Sequence, residues 1–425
     1  MAAQLTREVN LQMAKPNIVQ LPEMAWYGDT TIEIDFPDSW DVTVCKWKGQ
    51  EATPLDDAGI RKAFANPIGT PTIKEMAKGK KEVVILFDDM SRATPSAVML
   101  GYVLEELAAA GIKDDQIRLI AAIGAHGSMN GIDFRKKLGN DAMRRFRVYN
   151  HNPYENCMPL GISSRGIPIE VNTEVMRCDL KIGIGSIVPH PMAGFGGGSK
   201  IILPGVASIK TIDLNHMRLG PSPTTGWGKY EGNIQKEDMD EAARMAGLDI
   251  KVDALMNMKR EITALFVGDV VAEHVEGVKA AKVHCAAELV TDCDIVISNC
   301  YGKANEMSLG TMLAPPLMKP GADMVLVAET PEGQINHYWC RSFGENLGGR
   351  GWLPKTTLPK NTGRLTVLSP YPDRVGADWV APYDMINWAE SWPPVLEMLK
   401  ATYGAKAKVA VIPDATMQYF PATLA

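Results

Sequence analysis

Apolar and polar positions alternate along several short runs of this chain and shift to helical spacing between them. The run TTIEIDF alternates around Ile32, Ile34 and Phe36 and predicts a half-buried strand. Residues 82–87, EVVILF, are β-branched and uninterrupted by polar positions, as in a strand covered on both faces. After Pro95, which suits a first helical turn, SAVMLGYVLEELAAAG carries a helix to Gly111. A second apolar strand spans residues 117–123. This strand–helix–strand unit predicts a parallel sheet. Further strands are expected from Leu180 through Ile184 and in FRVYNHNPYE, where His151 serves the turn. DIKVDALMNMKREITALFVGD reads as a hairpin turning near residues 258–261. Helices are expected over residues 57–65 and 232–247, and in VVAEHVEGVKAAKVHCAAELV, where His274 and His284 fall on a solvated or packed face.

A boundary near residues 285–292 separates a second α/β pattern. CDIVISN, MVLVAE, RLTVLSP and VAVIP are its strands, and residues 307–317 are partly helical. Residues 383–399 read as a helix, with Trp388 and Trp392 four apart on one packed face. The expected fold is therefore α/β: two α/β domains with mostly parallel sheets and an active site in the cleft between them. Residues 1–287 form an N-terminal cofactor-binding domain and residues 288–425 a C-terminal domain.

Composition narrows the classes of function. The 425 residues carry a formal net charge of −6, which supplies no basic face for nucleic acid. The seven cysteines (Cys45, Cys157, Cys178, Cys285, Cys293, Cys300 and Cys340) contain no CxxC pair, so neither a disulfide framework nor a zinc site is read. No apolar run reaches eighteen residues and the N-terminus has no continuous apolar core. A cytoplasmic protein with no membrane partner is expected.

The candidate chemistry follows strand ends, where open α/β sheets bind ligands. Asp88-Asp89-Met90-Ser91-Arg92 follows the first buried strand, and Gly124-Ala125-His126-Gly127 follows the next. After Leu180–Ser186, the stretch IVPHPMAGFGGGSKIILPG brings His190, stiffened by Pro189 and Pro191, then Gly196, Gly197, Gly198 and Lys200. Two glycines, Gly183 and Gly185, sit inside the strand itself, which marks a close approach by something else. The glycine cluster leaves backbone amides free to face a bound group. His216 lies sixteen residues beyond Lys200. GGGSK does not complete a phosphate loop, because Ile201 follows the lysine, and no GxGxxG is present here. A glycine loop alone marks a turn more often than a site, and a lone histidine is more often structural. Their concentration is what points to a cofactor site.

DxSR at residues 89–92, GAH ending at His126, IVPH ending at His190, GFGGGSKIILPG around Lys200, and His216 occur in this order. Together with GNIQKEDMDEAA and KREITALFVGD, they resemble the nickel-dependent lactate racemases and their homologues over most of the chain. The resemblance implies a nickel-pincer nucleotide, a pyridinium-3,5-bisthiocarboxylic acid mononucleotide, covalently attached at Lys200. It implies His216 as the nickel ligand and His126 and His190 as the catalytic histidines. Asp89, Ser91, Arg92, Gly196, Gly197 and Gly198 would line the cofactor. Cofactor-biosynthesis proteins are implied as partners.

The implied reaction is racemisation or 2-epimerisation of a 2-hydroxy acid by reversible hydride transfer at C2. The C2 hydrogen is not acidic, so it leaves as hydride while a histidine handles the hydroxyl proton. Arg92 suits a carboxylate, which its planar fork can grip bidentately. The family's tyrosine, glutamine and lysine in the second domain match YGKANEMSLGTML only loosely, with no lysine at the late position. Tyr301, Asn305 and Glu306 are the substrate-binding candidates here, with Lys303 beside them. Asn305 and Glu306 favour a substrate larger than lactate, such as the sugar acid gluconate. Lactate or another short acid is the alternative substrate. An NAD-linked dehydrogenase is disfavoured by the missing fingerprint. A non-catalytic binding or sensing protein on the same fold is disfavoured by the pair His126 and His190.

Overall fold

The computed structural model describes residues 17–339, 356–378 and 380–424. Residues 1–16 and Cys340 lie outside the described residues. Two six-stranded sheets organise the chain. The first runs in the order Ile262–Gly268, Ile250–Met256, Leu180–Ser186, Val83–Phe87, Ile117–Ala121, Arg147–Asn150. Its pairings are parallel except at the Ile250–Met256 and Ile262–Gly268 hairpin. The second is parallel throughout: Ile386–Ala389, Thr362–Leu368, Met318–Val327, Cys293–Asn299, Lys408–Ile412, Asp41–Val44.

The uninterrupted apolar runs are the central strands. All five residues of Val83–Phe87 are buried, as are all seven of Leu180–Ser186. Covering a strand on both faces contributes about 1.5–3 kcal/mol for each large apolar side chain. The helices Ser96–Ala109 and Asp57–Ala65 form where their spacing indicated. Asp56 caps the latter by accepting the Gly59 N–H at 2.8 Å.

Two observations depart from the sequence reading. Residues 383–399 are not one helix. Tyr383–Met385 is a short 3-10 turn, Ile386–Ala389 is an edge strand, and the helix is Trp392–Tyr403. Ser391 occupies the N-cap position without a side-chain capping hydrogen bond, and Pro393 and Pro394 fall in the helix's first turn, where proline is tolerated. Trp388 is therefore on a strand, and its spacing to Trp392 defines no helical face. The second departure concerns a division at residue 287. Asp41–Val44, from the start of the chain, pairs with Lys408–Ile412 and completes the second sheet. Among the described residues no helix is long and apolar enough to cross a membrane.

Candidate active site

In each sheet the chain leaves a central strand in one direction and later returns to that strand's other side. In the first sheet this reversal lies between Val83–Phe87 and Leu180–Ser186, and in the second between Cys293–Asn299 and Lys408–Ile412. Such reversals open a crevice beyond the strand ends. Residues following these strands line one cavity: Asp88, Asp89 and Arg92, then Val188, His190 and Lys200, and from the second sheet Lys303 and Glu306. The space is about 140 Å³. One water takes roughly 10–15 Å³ on the same measure, so a small organic molecule fits.

One wall is a hydrogen-bonded chain. Asp89 accepts from the Ser91 backbone N–H at 2.9 Å and the Ser91 hydroxyl at 2.6 Å, and its second oxygen lies 2.6 Å from His126 Nδ1. Burial opposes charge on Asp89, but the His126 ring, Arg92 and the Ser91 hydroxyl outweigh it and hold the carboxyl well below the usual range. The carboxylate therefore fixes His126 with its proton on Nδ1 and leaves Nε2 as an acceptor. Glu306 Oε1 is 3.6 Å from that Nε2. Its other oxygen accepts from Arg92 at 2.8 Å. The same Arg92 nitrogen also donates to the Ser91 carbonyl and hydroxyl. The Arg92 fork, expected to be free for a substrate carboxylate, is thus partly committed to Glu306 and Ser91.

The opposite wall carries His190, Gly196, Gly197 and Lys200. His190 pairs with Gly194 in a two-residue ribbon, and its Nδ1 accepts the backbone N–H groups of Met192 at 3.2 Å and Ala193 at 3.1 Å. The glycine cluster was read as an open nest of amides; its third amide is closed. Gly198 N–H donates to Asp253. Gly197 and Gly198 have φ of 81° and 54°, and a Cβ on Gly198 would stand 2.6 Å from the His274 ring. His274 in turn bonds the Gly196 carbonyl at 2.8 Å. Asp253 is paired with Lys251, whose side chain crosses the faces of Gly183 and Gly185. Those two strand glycines make room for buried side chains of the neighbouring strand.

Glu273 completes this buried group. It is fully buried and neither of its oxygens receives a donor hydrogen bond. Burial, then the Asp253 charge, push its carboxyl well above the usual range. Two carboxyl groups meeting this way share one proton. Sequence reasoning missed this network. Its signal was Lys251 and Asp253 two apart on one face of an otherwise apolar strand.

Lys200 ends the loop without an ion pair among the described residues. Burial, then Arg92 and Lys303, lower its amine to about 7. A neutral amine is the nucleophilic form. His216, on the helix Ile209–Leu219, donates Nδ1–H to the Ile212 carbonyl at 2.9 Å, and lines the same cavity. Its ring packs 5.1 Å from Trp339, which donates to Asp213 at 2.8 Å. Burial, then Lys200, lower His216 to about 3, so the ring is neutral with Nε2 open. A hydrogen bond from the far ring nitrogen to a backbone carbonyl is what orients a metal-ligating imidazole. Among the described residues no group of three or more His, Cys, Asp or Glu could hold an ion. One oriented imidazole beside one neutral amine fits a metal whose remaining donors arrive on an organic cofactor.

The second sheet supplies the roof. Lys303 is buried, lines the cavity and has no ion pair or hydrogen bond from its amine among the described residues. Burial, then Arg92, lower it to about 8. Tyr301 and Asn305 do not line the cavity. Tyr301 is turned away, with its hydroxyl on Asp29 at 2.8 Å. Asn305 is buried, and its backbone carbonyl receives the Ile335 N–H. His337 packs edge-on against His126 at 4.7 Å and was not anticipated. His151, bonded to the Ala207 carbonyl and Asn172, lies elsewhere and is structural.

Known proteins resemble this chain in sequence and in fold. Residues 27–228 match the family described as Lactate racemase N-terminal domain. The lactate racemase of Thermoanaerobacterium thermosaccharolyticum is 28% identical over 330 residues, 75% of this chain and 77% of that protein. The lactate racemase of Lactiplantibacillus plantarum is 28% identical over 383 residues, 84% of this chain and 88% of that protein. The lactate racemase apoprotein structure from T. thermosaccharolyticum superposes with a TM-score of 0.70 at 23% identity, covering 94% of this chain and 99% of that one. A Thermotoga maritima protein superposes with a TM-score of 0.63 at 16% identity, covering 86% and 98%. These two likenesses concern the fold.

Proposed function

We propose that this chain, which matches the lactate racemase N-terminal domain over residues 27–228 and is 28% identical to two lactate racemases, is a racemase of that family and inverts C2 of a 2-hydroxy acid in this cavity with a nickel-pincer nucleotide. The observation that carries the reading is the convergence of Lys200, His216, His126 and His190 on one space. Lys200, as a neutral amine, would carry the covalent attachment, and His216 Nε2 would ligate nickel. The bound group supplies a hydride acceptor for the C2 hydrogen. The chain's own residues bind and orient the acid and move its hydroxyl proton. Lys303 offers the substrate carboxylate a cation with no ion pair among the described residues. His126 and His190 flank the hydroxyl. Cofactor-assembly proteins would load the site before turnover.

Glu306 bears on substrate choice. A carboxylate on the cavity wall accepts hydrogen bonds and repels a second anion. Hydroxyl groups beyond C2 would satisfy it, which favours a polyhydroxy acid such as gluconate and makes the reaction a 2-epimerisation. The second reading, lactate or another short acid, rests on the activity named for both 28% identical relatives. Cofactor-loaded protein tested with lactate, malate, phenyllactate and gluconate, following the isomer ratio at C2, separates the two. Faster inversion of gluconate is expected. Lactate as the best substrate would overturn the larger-acid reading, and no inversion of any 2-hydroxy acid would overturn the reaction assignment.

A further inference from the structure

The motif GNIQKEDMDEAA contributes no side chain to the cavity. It forms the helix Ile234–Ala246, which Asn233 caps by accepting the Lys236 N–H at 3.1 Å. This helix packs behind the short turn Gly198–Ile201, which carries Lys200. Asp240, on the helix, accepts the hydroxyl of the fully buried Ser199 at 2.7 Å. Lys236, one turn earlier, is buried and pairs with the same Asp240 oxygen. Asp238 sits two residues from Asp240 and so faces another side of the helix. It accepts from Ser163 at 2.5 Å and from Asn215 at 2.8 Å.

A buried ion pair adds little net stability, because taking both charges out of water offsets most of their attraction. What the Lys236–Asp240 pair supplies is a fixed acceptor. A carboxylate only accepts, so the Ser199 hydroxyl must donate to it, and the residue before Lys200 is held by its side chain. Gly198, one position earlier, is held through its backbone N–H by Asp253. Two consecutive residues are thus anchored on two different elements, while the Lys200 amine has no ion pair among the described residues. That amine faces Arg92, Lys303 and Lys236, which together with burial oppose its charge, and Glu306, which favours it. Its place in the cavity follows from how its predecessors are held.

Resting on the functional reading above, we propose that Asp240, backed by Lys236, is a positioning residue that acts through Ser199 to hold the Lys200 amine in the cavity before any cofactor arrives. Neither Asp240 nor Ser199 lines the cavity, so the effect passes entirely through the backbone of the turn. Holding a nucleophile in place beforehand removes an ordering cost from the attachment step. Asp238 takes no part in this, because its partners are Ser163 and Asn215.

The first measurement needs no cofactor. Full-length protein would be acylated with acetic anhydride across a pH series and Lys200 followed by peptide mass, with surface lysines as the reference. The wild-type midpoint should lie near pH 7. Ser199→Ala changes no charge and should raise it by about one pH unit or more, as the released amine reaches water. Asp240→Ala should raise it too, whereas the uncompensated Lys236 charge alone would lower it. Asp240→Asn keeps an acceptor for Ser199 and should stay at or below the wild-type midpoint, as should Asp238→Asn. An unmoved midpoint in Ser199→Ala, or a fall in Asp240→Ala, would overturn the positioning role. A wild-type midpoint near pH 10 would overturn the placement of the amine and the proposal with it. In cells that make the cofactor, Ser199→Ala should form the Lys200 adduct roughly tenfold more slowly or worse, since a misplacement of about 1 Å costs on the order of 10²-fold. Adduct formation at the wild-type rate would also count against the role. A wild type that forms no adduct at all would count against the functional reading, and the pH midpoints would then decide the role of Asp240.

Discussion

Asp253 accepts the backbone N–H of Gly198 at 2.5 Å across 55 residues of chain. This bond ties the cavity's glycine loop to the buried strand Ile250–Met256 and, two residues on, sets where Lys200 begins. Gly198→Ala should therefore destabilise the protein by about 1–3 kcal/mol, because the new methyl combines a left-handed backbone with a clash on His274. Urea denaturation measures it, and an unchanged midpoint would contradict the packing described.

Lys200 should react as an amine at neutral pH. Acylation of the cofactor-free protein, mapped by peptide mass, should reach half its maximal rate at Lys200 near pH 7, where surface lysines remain protonated. Stability follows the same proton. Between about pH 7 and the ordinary lysine value of about 10.4, the unfolded chain holds a proton here that the folded chain lacks, so this group's contribution rises with pH and is least favourable below pH 7. Half-reaction near pH 10 would show an ordinary lysine.

Glu273 should behave in the opposite sense. Its folded carboxyl keeps a proton that the unfolded chain sheds above about pH 4.3, so its contribution to stability falls as pH rises above that value. Glu273→Gln retains the shape of the protonated acid and removes the titration. The variant should match the wild type at low pH and become relatively more stable toward pH 9. Parallel stability curves for the two proteins would rule out the shared proton.

These expectations depend on what could be read from local sequence and what could not. The central strands were legible because Val83–Phe87 and Leu180–Ser186 are buried on both faces and show it in every residue. His126, His190 and Lys200 each lie in a distinctive motif, and the structure brings them to one cavity with His216. Tyr301 was misplaced, since its motif fixes its position but not which side of the Tyr301–Glu306 turn it points from; only its partner Asp29, 272 residues earlier, decides that. The Lys251–Asp253–Glu273 group was legible only in part, since two charges two apart mark the strand but nothing local links them to Glu273. Glu273 comes from the helix Ala272–His284, which looks ordinary alone.

Lys303, rather than Arg92, should dominate carboxylate binding. Lys303→Met in the loaded enzyme should raise KM by about tenfold or more, the equivalent of a lost charge-assisted hydrogen bond of about 1.5–3 kcal/mol. Arg92→Lys should act more on kcat, through Glu306 and Ser91. A larger KM effect at Arg92 than at Lys303 would return the carboxylate to Arg92.

His216→Ala should lose nickel from protein loaded in cells while retaining the fold, because the ring's hydrogen bond at Nδ1 is to its own helix at Ile212. Metal analysis beside a circular dichroism spectrum tests both halves. Nickel at the wild-type ratio would exclude His216 as the ligand.

The pairing of Asp41–Val44 with Lys408–Ile412 has a consequence for how the protein is made. Trp40 Nε1–H reaches the Gly404 carbonyl across 364 residues, which at roughly 5–20 residues per second is a delay on the order of 20–70 s on the ribosome. During that time the first strand of the second sheet has no edge to join. Synthesis cannot finish one unit and then begin the other, because the opening residues wait for nearly the last ones. A chain released short of Lys408 would therefore fail first at its beginning, with the apolar face of Thr31–Phe36 and the edge of Asp41–Val44 offered to chaperones or to other unfinished copies.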